Sequence, residues 1–161
     1  MQLMVIRHAI AEDPVAGLDD RERELTPEGR AKLYRVVAGL KAIDVRFDRV
    51  LTSPWKRALH TARAMSALAR AAIETTPWLA QAPRPELLAQ IAEHGETTAV
   101  IGHEPWLGEL VGLLAFGDAR LGDAIAIKKC GVVWLEGTAT PGGMQIRAVL
   151  PPKLLRSFDA D

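Results

Sequence analysis

Apolar residues fall into two rhythms along this chain, and the alternation between them sets the expected fold. Leu3-Met4-Val5-Ile6 is a short unbroken apolar run that ends at Arg7 and His8, and Val50-Leu51 and Ala99-Val100-Ile101 are similar runs followed by polar residues and a proline. Continuous runs of this length read as strands of a parallel sheet, buried on both faces. Between them the period lengthens. Leu33, Val36, Val37 and Leu40, and again Leu107, Leu110, Val111 and Leu114, recur at the i, i+3, i+4, i+7 spacing of a helix with one apolar face. Thr26-Pro27 and Ser53-Pro54 each place a capping hydroxyl before a proline at the first helical position, and Glu104-Pro105 opens the last of these helices in the same way. A further helix runs from about Arg84 to His94, with Leu87, Leu88 and Ile91 on one face and Gly95 as its stop.

The tail follows a different pattern. Ile125 to Leu135 and Met144 to Leu150 read as two strands joined by a turn around Thr140-Pro141-Gly142-Gly143. The expected architecture is therefore a three-layer α/β/α sandwich, in which a mostly parallel central sheet carries a C-terminal hairpin at one edge. With no repeat, linker or low-complexity tract to divide it, residues 1–161 are expected to form one domain. Ala9 to Leu25 is the longest stretch without apolar period; it is rich in charge and directly follows Arg7-His8. Loops of this kind are where such folds keep their chemistry.

Composition narrows the partners. The 161 residues are 48% hydrophobic and 25% charged, and 20 basic residues balance 20 acidic ones. No excess positive charge draws the protein to nucleic acid or to an anionic membrane. The one cysteine, Cys130, forms no intramolecular disulfide and offers no thiolate metal site, which suits a reducing compartment. Met1 to Ile6 is too short for a signal h-region or a membrane span, so a cytoplasmic location is expected.

Three sites share one structural context: Arg7-His8 after the first strand, Arg57 in the opening turn after Leu51-Thr52-Ser53-Pro54, and His103 after Val100-Ile101-Gly102. Residues just beyond the carboxyl ends of parallel strands converge on one crevice, so two histidines and two arginines are expected in one pocket. Helix N-termini at Pro54 and Pro105 would add their free amides. Guanidinium groups offer forked donors to phosphate oxygens and repel a cation, so this inventory suits a tetrahedral oxyanion and no metal or other cofactor is called for. A neutral imidazole can attack phosphorus in line while arginines hold the equatorial oxygens.

Val5-Ile6-Arg7-His8-Ala9 resembles the Arg-His-Gly signature of the histidine phosphatase superfamily, with alanine in the third place. Leu51-Thr52-Ser53-Pro54-Trp55-Lys56-Arg57-Ala58 with Thr61-Ala62 is similar to the family's second-arginine segment, and Gly102-His103-Glu104-Pro105 to its second-histidine segment. Arg23-Glu24-Leu25-Thr26-Pro27-Glu28-Gly29 also resembles the family pattern. In its short length the chain looks most like the SixA branch, the phosphohistidine phosphatases. The resemblance implies His8 as phosphoacceptor, Arg7 and Arg57 as phosphate clamps and His103 as the second histidine of the core. Arg23 either reaches the phosphate from the long loop or pairs with a loop carboxylate.

One departure bears on substrate. Larger members of the superfamily carry a general acid after the second helix, where this chain reads Pro77-Trp78-Leu79-Ala80-Gln81-Ala82-Pro83-Arg84 with no carboxylate. An alkoxide leaving group needs a proton from a positioned acid, whereas a phosphoimidazole leaves readily once its free nitrogen is protonated. The expected substrate is thus a phosphorylated protein carrying phosphohistidine, such as a histidine-phosphotransfer domain. Two alternatives stand beside it: a small-molecule or phosphoserine monoesterase drawing its acid from Glu12, Asp13, Asp19 or Asp20, and a phosphoprotein-docking module without turnover. Lacking a roofing insertion, the pocket is expected to be shallow and open, not walled by Trp55, Trp78 or Trp106.

The remaining candidates have structural readings. His60 sits one turn after Arg57 and is expected to be partly exposed; His94 is expected at a helix C-terminus. A cysteine phosphatase needs an arginine six positions after its cysteine, where this chain has Glu136, so Cys130 reads as a small buried residue in a strand. Lys128 and Lys129 read as solvated charge.

Overall fold

The structure is a computed structural model that describes residues 1–93 and 95–158. Among the described residues a six-stranded sheet is formed by β1 (Gln2–Arg7), β2 (Arg49–Thr52), β3 (Ile73–Thr75), β4 (Thr97–Gly102), β5 (Val132–Gly137) and β6 (Met144–Leu150), in the order β3-β2-β4-β1-β5-β6. The β1–β4, β2–β4 and β2–β3 pairs are parallel, and β5 joins β1 antiparallel before turning back as β6 at the edge. The expected mixed sheet with its C-terminal edge hairpin is thus observed.

Alternation within each strand divides the core in two. Met4, Ile6, Val50, Ala99 and Ile101 point to one face, where α1 (Pro27–Ala42), α2 (Lys56–Met65) and α5 (Pro152–Ser157) cover them with Leu33, Val36, Leu40, Ala62, Met65 and Leu155. Leu3, Val5, Leu51 and Val100 point to the other, against α3 (Pro85–Ala92) and α4 (Trp106–Phe116) through Leu87, Ile91, Leu107, Leu110 and Leu114. Both faces being covered is why the central strands read as continuous apolar runs. Trp78 packs beside the second core.

Several boundaries differ from the sequence-based expectation. Thr26 caps α1 as expected, its hydroxyl accepting from Gly29 N at 2.9 Å. Helix α2 instead starts at Lys56 with Trp55 as its N-cap, because the Ser53 hydroxyl is engaged by Trp55 N and by His103. Pro105 is the N-cap of α4 and not its first residue. The strand expected from Ile125 begins only at Val132: residues 119–124 form a 3-10 turn, and Cys130 takes a left-handed φ of 64° that no strand accommodates. Strand β3 and helix α5 carry too few apolar residues to be seen in the sequence. The α3 helix ends at Ala92, and the expectation for His94 lies outside the described residues.

Candidate active site

The site is built where β1 and β4, neighbours in the sheet, reach their carboxyl ends. Arg7 closes β1, and the backbone just beyond it is still held from both sides: His8 N donates to Gly102 O at 3.1 Å, and Cys130 N to Arg7 O at 3.1 Å. Ala9, fully buried, follows with its amide donating to Thr61 Oγ1 at 3.0 Å; that hydroxyl donates to Arg57 O at 2.7 Å. Thr61 thereby locks the histidine segment to the helix that carries Arg57.

His8 Nδ1 lies 2.7 Å from Ala9 O. A carbonyl only accepts, so Nδ1 carries the proton and Nε2 the lone pair. Arg57 Nε donates to that Nε2 at 3.3 Å. Burial first, opposed by the Ala9 carbonyl and reinforced by Arg57, Arg7 and Lys129, pushes the His8 pKa down to about 3. His103, whose ring centroid is 5.1 Å from that of His8, is likewise pushed down to about 3 by burial and then by His8 and Arg57. Its Nε2 lies 2.8 Å from Ser53 Oγ. Both rings are therefore neutral at pH 7.

The cations converge on the same place. Arg7 Nη1 donates to Ile127 O at 2.9 Å, while Arg7 Nε and His103 Nδ1 are buried and have no hydrogen-bond partner in the protein. Arg57 is buried, with its guanidinium stacked 4.7 Å from the Trp55 ring centroid. Arg23 joins them from the long loop, donating through Nε to Asp20 Oδ1 at 2.7 Å and through Nη1 to Glu12 O at 2.7 Å. All four sequence-predicted core residues and Arg23 line one cavity of about 390 Å³. Arg23 thus pairs with a loop carboxylate and also lines the cavity.

The cavity also holds residues the sequence did not single out for it. Trp55 and Trp106 wall it, with ring centroids 4.5 and 6.2 Å from His103, contrary to the expectation that no tryptophan would; Trp78 takes no part. Lys129, read as solvated charge, lines it because the 125–131 segment is an irregular loop and not a strand. Glu104 lines it too, half-buried, with Oε2 accepting from Gly108 N at 2.9 Å and a pKa raised chiefly by burial. Its position beside His103 was the available signal. The free amides expected at the start of α4 are partly spent, Leu107 N on His103 O and Gly108 N on Glu104. His60 is partly buried, lies within hydrogen-bond range of Arg30, and borders a separate surface groove. Cys130 is buried, its thiol pushed up to about 12 by burial. Among the described residues no group of three or more His, Cys, Asp or Glu is placed to hold a metal ion.

A parallel-centred α/β/α sandwich with paired histidines and arginines at its strand ends defines a phosphoryl-handling protein, and comparison with known proteins narrows it. The family model of the histidine phosphatase superfamily (branch 1) matches residues 3–82. An uncharacterized protein of Picosynechococcus sp. (strain PCC 7002) is 34% identical over 148 residues, covering 86% of this chain and 87% of its own. The structure of the protein histidine phosphatase SixA complexed with tungstate superposes with a TM-score of 0.80 at 25% identity, covering 96% of this chain and 99% of that one. A phosphoserine phosphatase of Entamoeba histolytica in complex with phosphoserine shares the fold, with a TM-score of 0.71 at 17% identity over 96% of this chain and 98% of its own. The chain belongs to the histidine phosphatase superfamily. Within it the likeness is to the SixA type, and the activity is that of a phosphatase working through a histidine nucleophile.

Proposed function

We propose that His8 is that nucleophile and that the substrate is phosphohistidine on a protein. The observation that carries this reading is the state of the site: a neutral His8 with its lone pair on Nε2, beside two buried nitrogens, Arg7 Nε and His103 Nδ1, that lack any partner in the protein. Buried donors without partners are costly unless a ligand supplies the acceptor. A phosphoryl group, with three equatorial oxygens, meets that need.

In the proposed reaction His8 Nε2 attacks phosphorus while the P–N bond of the substrate breaks. The substrate imidazole, already protonated from solvent on its other ring nitrogen, departs as the neutral ring with the electron pair of that bond. In this reading Arg7, Arg57 and His103 hold the equatorial oxygens, His103 donating from Nδ1 when the Ser53 hydroxyl, 2.8 Å from Nε2, donates to that nitrogen. Water then attacks the phosphoryl group on His8, releasing phosphate and restoring the lone pair. Arg23 adds a further cation at the rim. The phosphorylated protein is met in the cytoplasm, by a single domain spanning residues 1–161; the buried lone Cys130 supports a reducing compartment. Among the described residues no helix is long and apolar enough to cross a membrane.

A second reading rests on Glu104. A half-buried carboxyl with a raised pKa in a tryptophan-walled cavity offers the proton that a phosphomonoester's leaving oxygen requires. Phosphate release, measured with a chelator present, from a phosphohistidine protein and from an aryl phosphomonoester separates the two. Preferential turnover of the phosphohistidine protein, abolished in His8→Ala, supports the first reading. Preference for the monoester, with a large loss in Glu104→Gln, supports the second. Phosphate binding without turnover of either would point to a docking module.

A further inference from the structure

The fully buried arginine of the site is not waiting with open donors. Arg57 spends its Nη1 on the backbone carbonyl of Asp20 at 2.6 Å and its Nη2 on Asp20 Oδ2 at 2.9 Å, while Arg23 Nε holds Asp20 Oδ1 at 2.7 Å. One carboxylate, bonded through both oxygens by two arginines that line the phosphate cavity, imitates the way an oxyanion would be held there. The element that delivers it is weakly tied. Asp20 opens a three-residue 3-10 turn with no buried residue, and residues 12–22 are exposed. Apart from these arginine bonds and the one from Arg23 Nη1 to Glu12 O, the loop is tied among the described residues at its base, where Ala11 bridges Leu25 and Glu12 N donates to Glu24 O, and by the exposed Lys56–Glu22 pair. Gly17, at a φ of +83° with open space around it, puts a permissive joint in the same loop. A segment with so few buried contacts opens at low cost.

We infer that Asp20 is an internal competitor of the phosphoryl group, which must displace its carboxylate from Arg57 and Arg23 to be clamped. This rests on the phosphate-clamp reading of the site but not on the identity of the substrate's leaving group. Asp20 then sets specificity by charge. A doubly charged phosphoryl group replaces a singly charged carboxylate with a gain, whereas a carboxylate ligand of the same size gains nothing. After turnover the returning carboxylate expels inorganic phosphate. The apparent affinity of the clamp falls by the fraction of time in which the loop is closed.

The test uses the full-length protein and inorganic phosphate, titrated by calorimetry and as an inhibitor of turnover. Asp20→Asn keeps the shape and removes the charge, and is expected to tighten phosphate binding about tenfold. It is also expected to lower KM and kcat together, since faster capture is matched by slower product release. Asp19→Asn, next to it on the exposed loop with its carboxylate bonded to Arg21, is expected to leave phosphate affinity unchanged. Unchanged or weaker phosphate binding in Asp20→Asn, with wild type binding normally, overturns the inference and makes Asp20 a support for Arg57. Failure of both proteins to bind phosphate removes the clamp reading itself and the inference with it.

Discussion

His8 and His103 are neutral for the same reason that makes them useful. Each is buried among cationic groups, so protonation would place an uncompensated charge away from water, and both pKa values fall to about 3. Two consequences follow for pH. In the free enzyme, imidazole resonances of His8 and His103 are expected to show no protonation as pH drops from 7 to about 5; titration of either near the ordinary 6.5 would contradict the electrostatics. Stability carries the matching sign. Between about pH 6.5 and 3 the unfolded chain binds protons on these rings that the folded chain refuses, so stability falls as pH falls, by up to about 1.4 kcal/mol per pH unit for each histidine. Urea midpoints at pH 7 and about 4.5 read this directly. Arg7, His8, Arg57 and His103 were legible because each follows an apolar run that had to be a strand or the helix after it. Asp20 was legible only as one of four candidate acids in the charged loop: its contact with Arg57 crosses 37 positions of sequence, and nothing marks it among Glu12, Asp13 and Asp19.

At the scale of elements, what the sequence revealed tracks what is buried on both sides. Strands β1, β2 and β4 lie inside the sheet and each carries an unbroken apolar run, whereas β3 is a three-residue edge strand in which only Ile73 is partly covered. Helix α5 is six residues long and buries Leu155 alone, too little to create a period. Its docking is nonetheless tight. A methyl group at Gly39 on α1 would stand 1.8 Å from the Leu155 carbonyl oxygen, so the two helices meet backbone to backbone. Gly39→Ala is expected to force them apart at a cost of about 1–3 kcal/mol, seen as a lower thermal midpoint with the active site intact. An unchanged midpoint would mean that α5 moves aside freely. Helix α2 teaches a different lesson. Ser53-Pro54 carries the sequence mark of a helix start, yet the serine hydroxyl is drawn to His103, and the helix begins at Lys56. The local rule fails at a residue the site has taken for itself.

At the scale of the molecule, the fold turns a crossing of strand ends into a charged cavity. Parallel β1 and β4 deliver Arg7-His8 and His103 side by side, β2 and the start of α2 deliver Arg57, and the long loop adds Arg23 and Asp20 over the opening. Trp55 and Trp106, in edge contact with each other, line the same cavity and give it an aromatic wall. The wall was hidden from the sequence because scattered tryptophans gain meaning only once β2 and β4 are neighbours. The central claim is the identity of the nucleophile, and trapping the phosphoenzyme tests it most directly. Protein mixed with a phosphohistidine substrate or a reactive aryl phosphate, quenched in alkali within the first turnover and mapped by mass spectrometry, is expected to carry an acid-labile phosphoryl group on the peptide containing His8 and on no other. Phosphate release with no phosphoenzyme at any time, or a phosphoryl group on His103 or another residue, would contradict it.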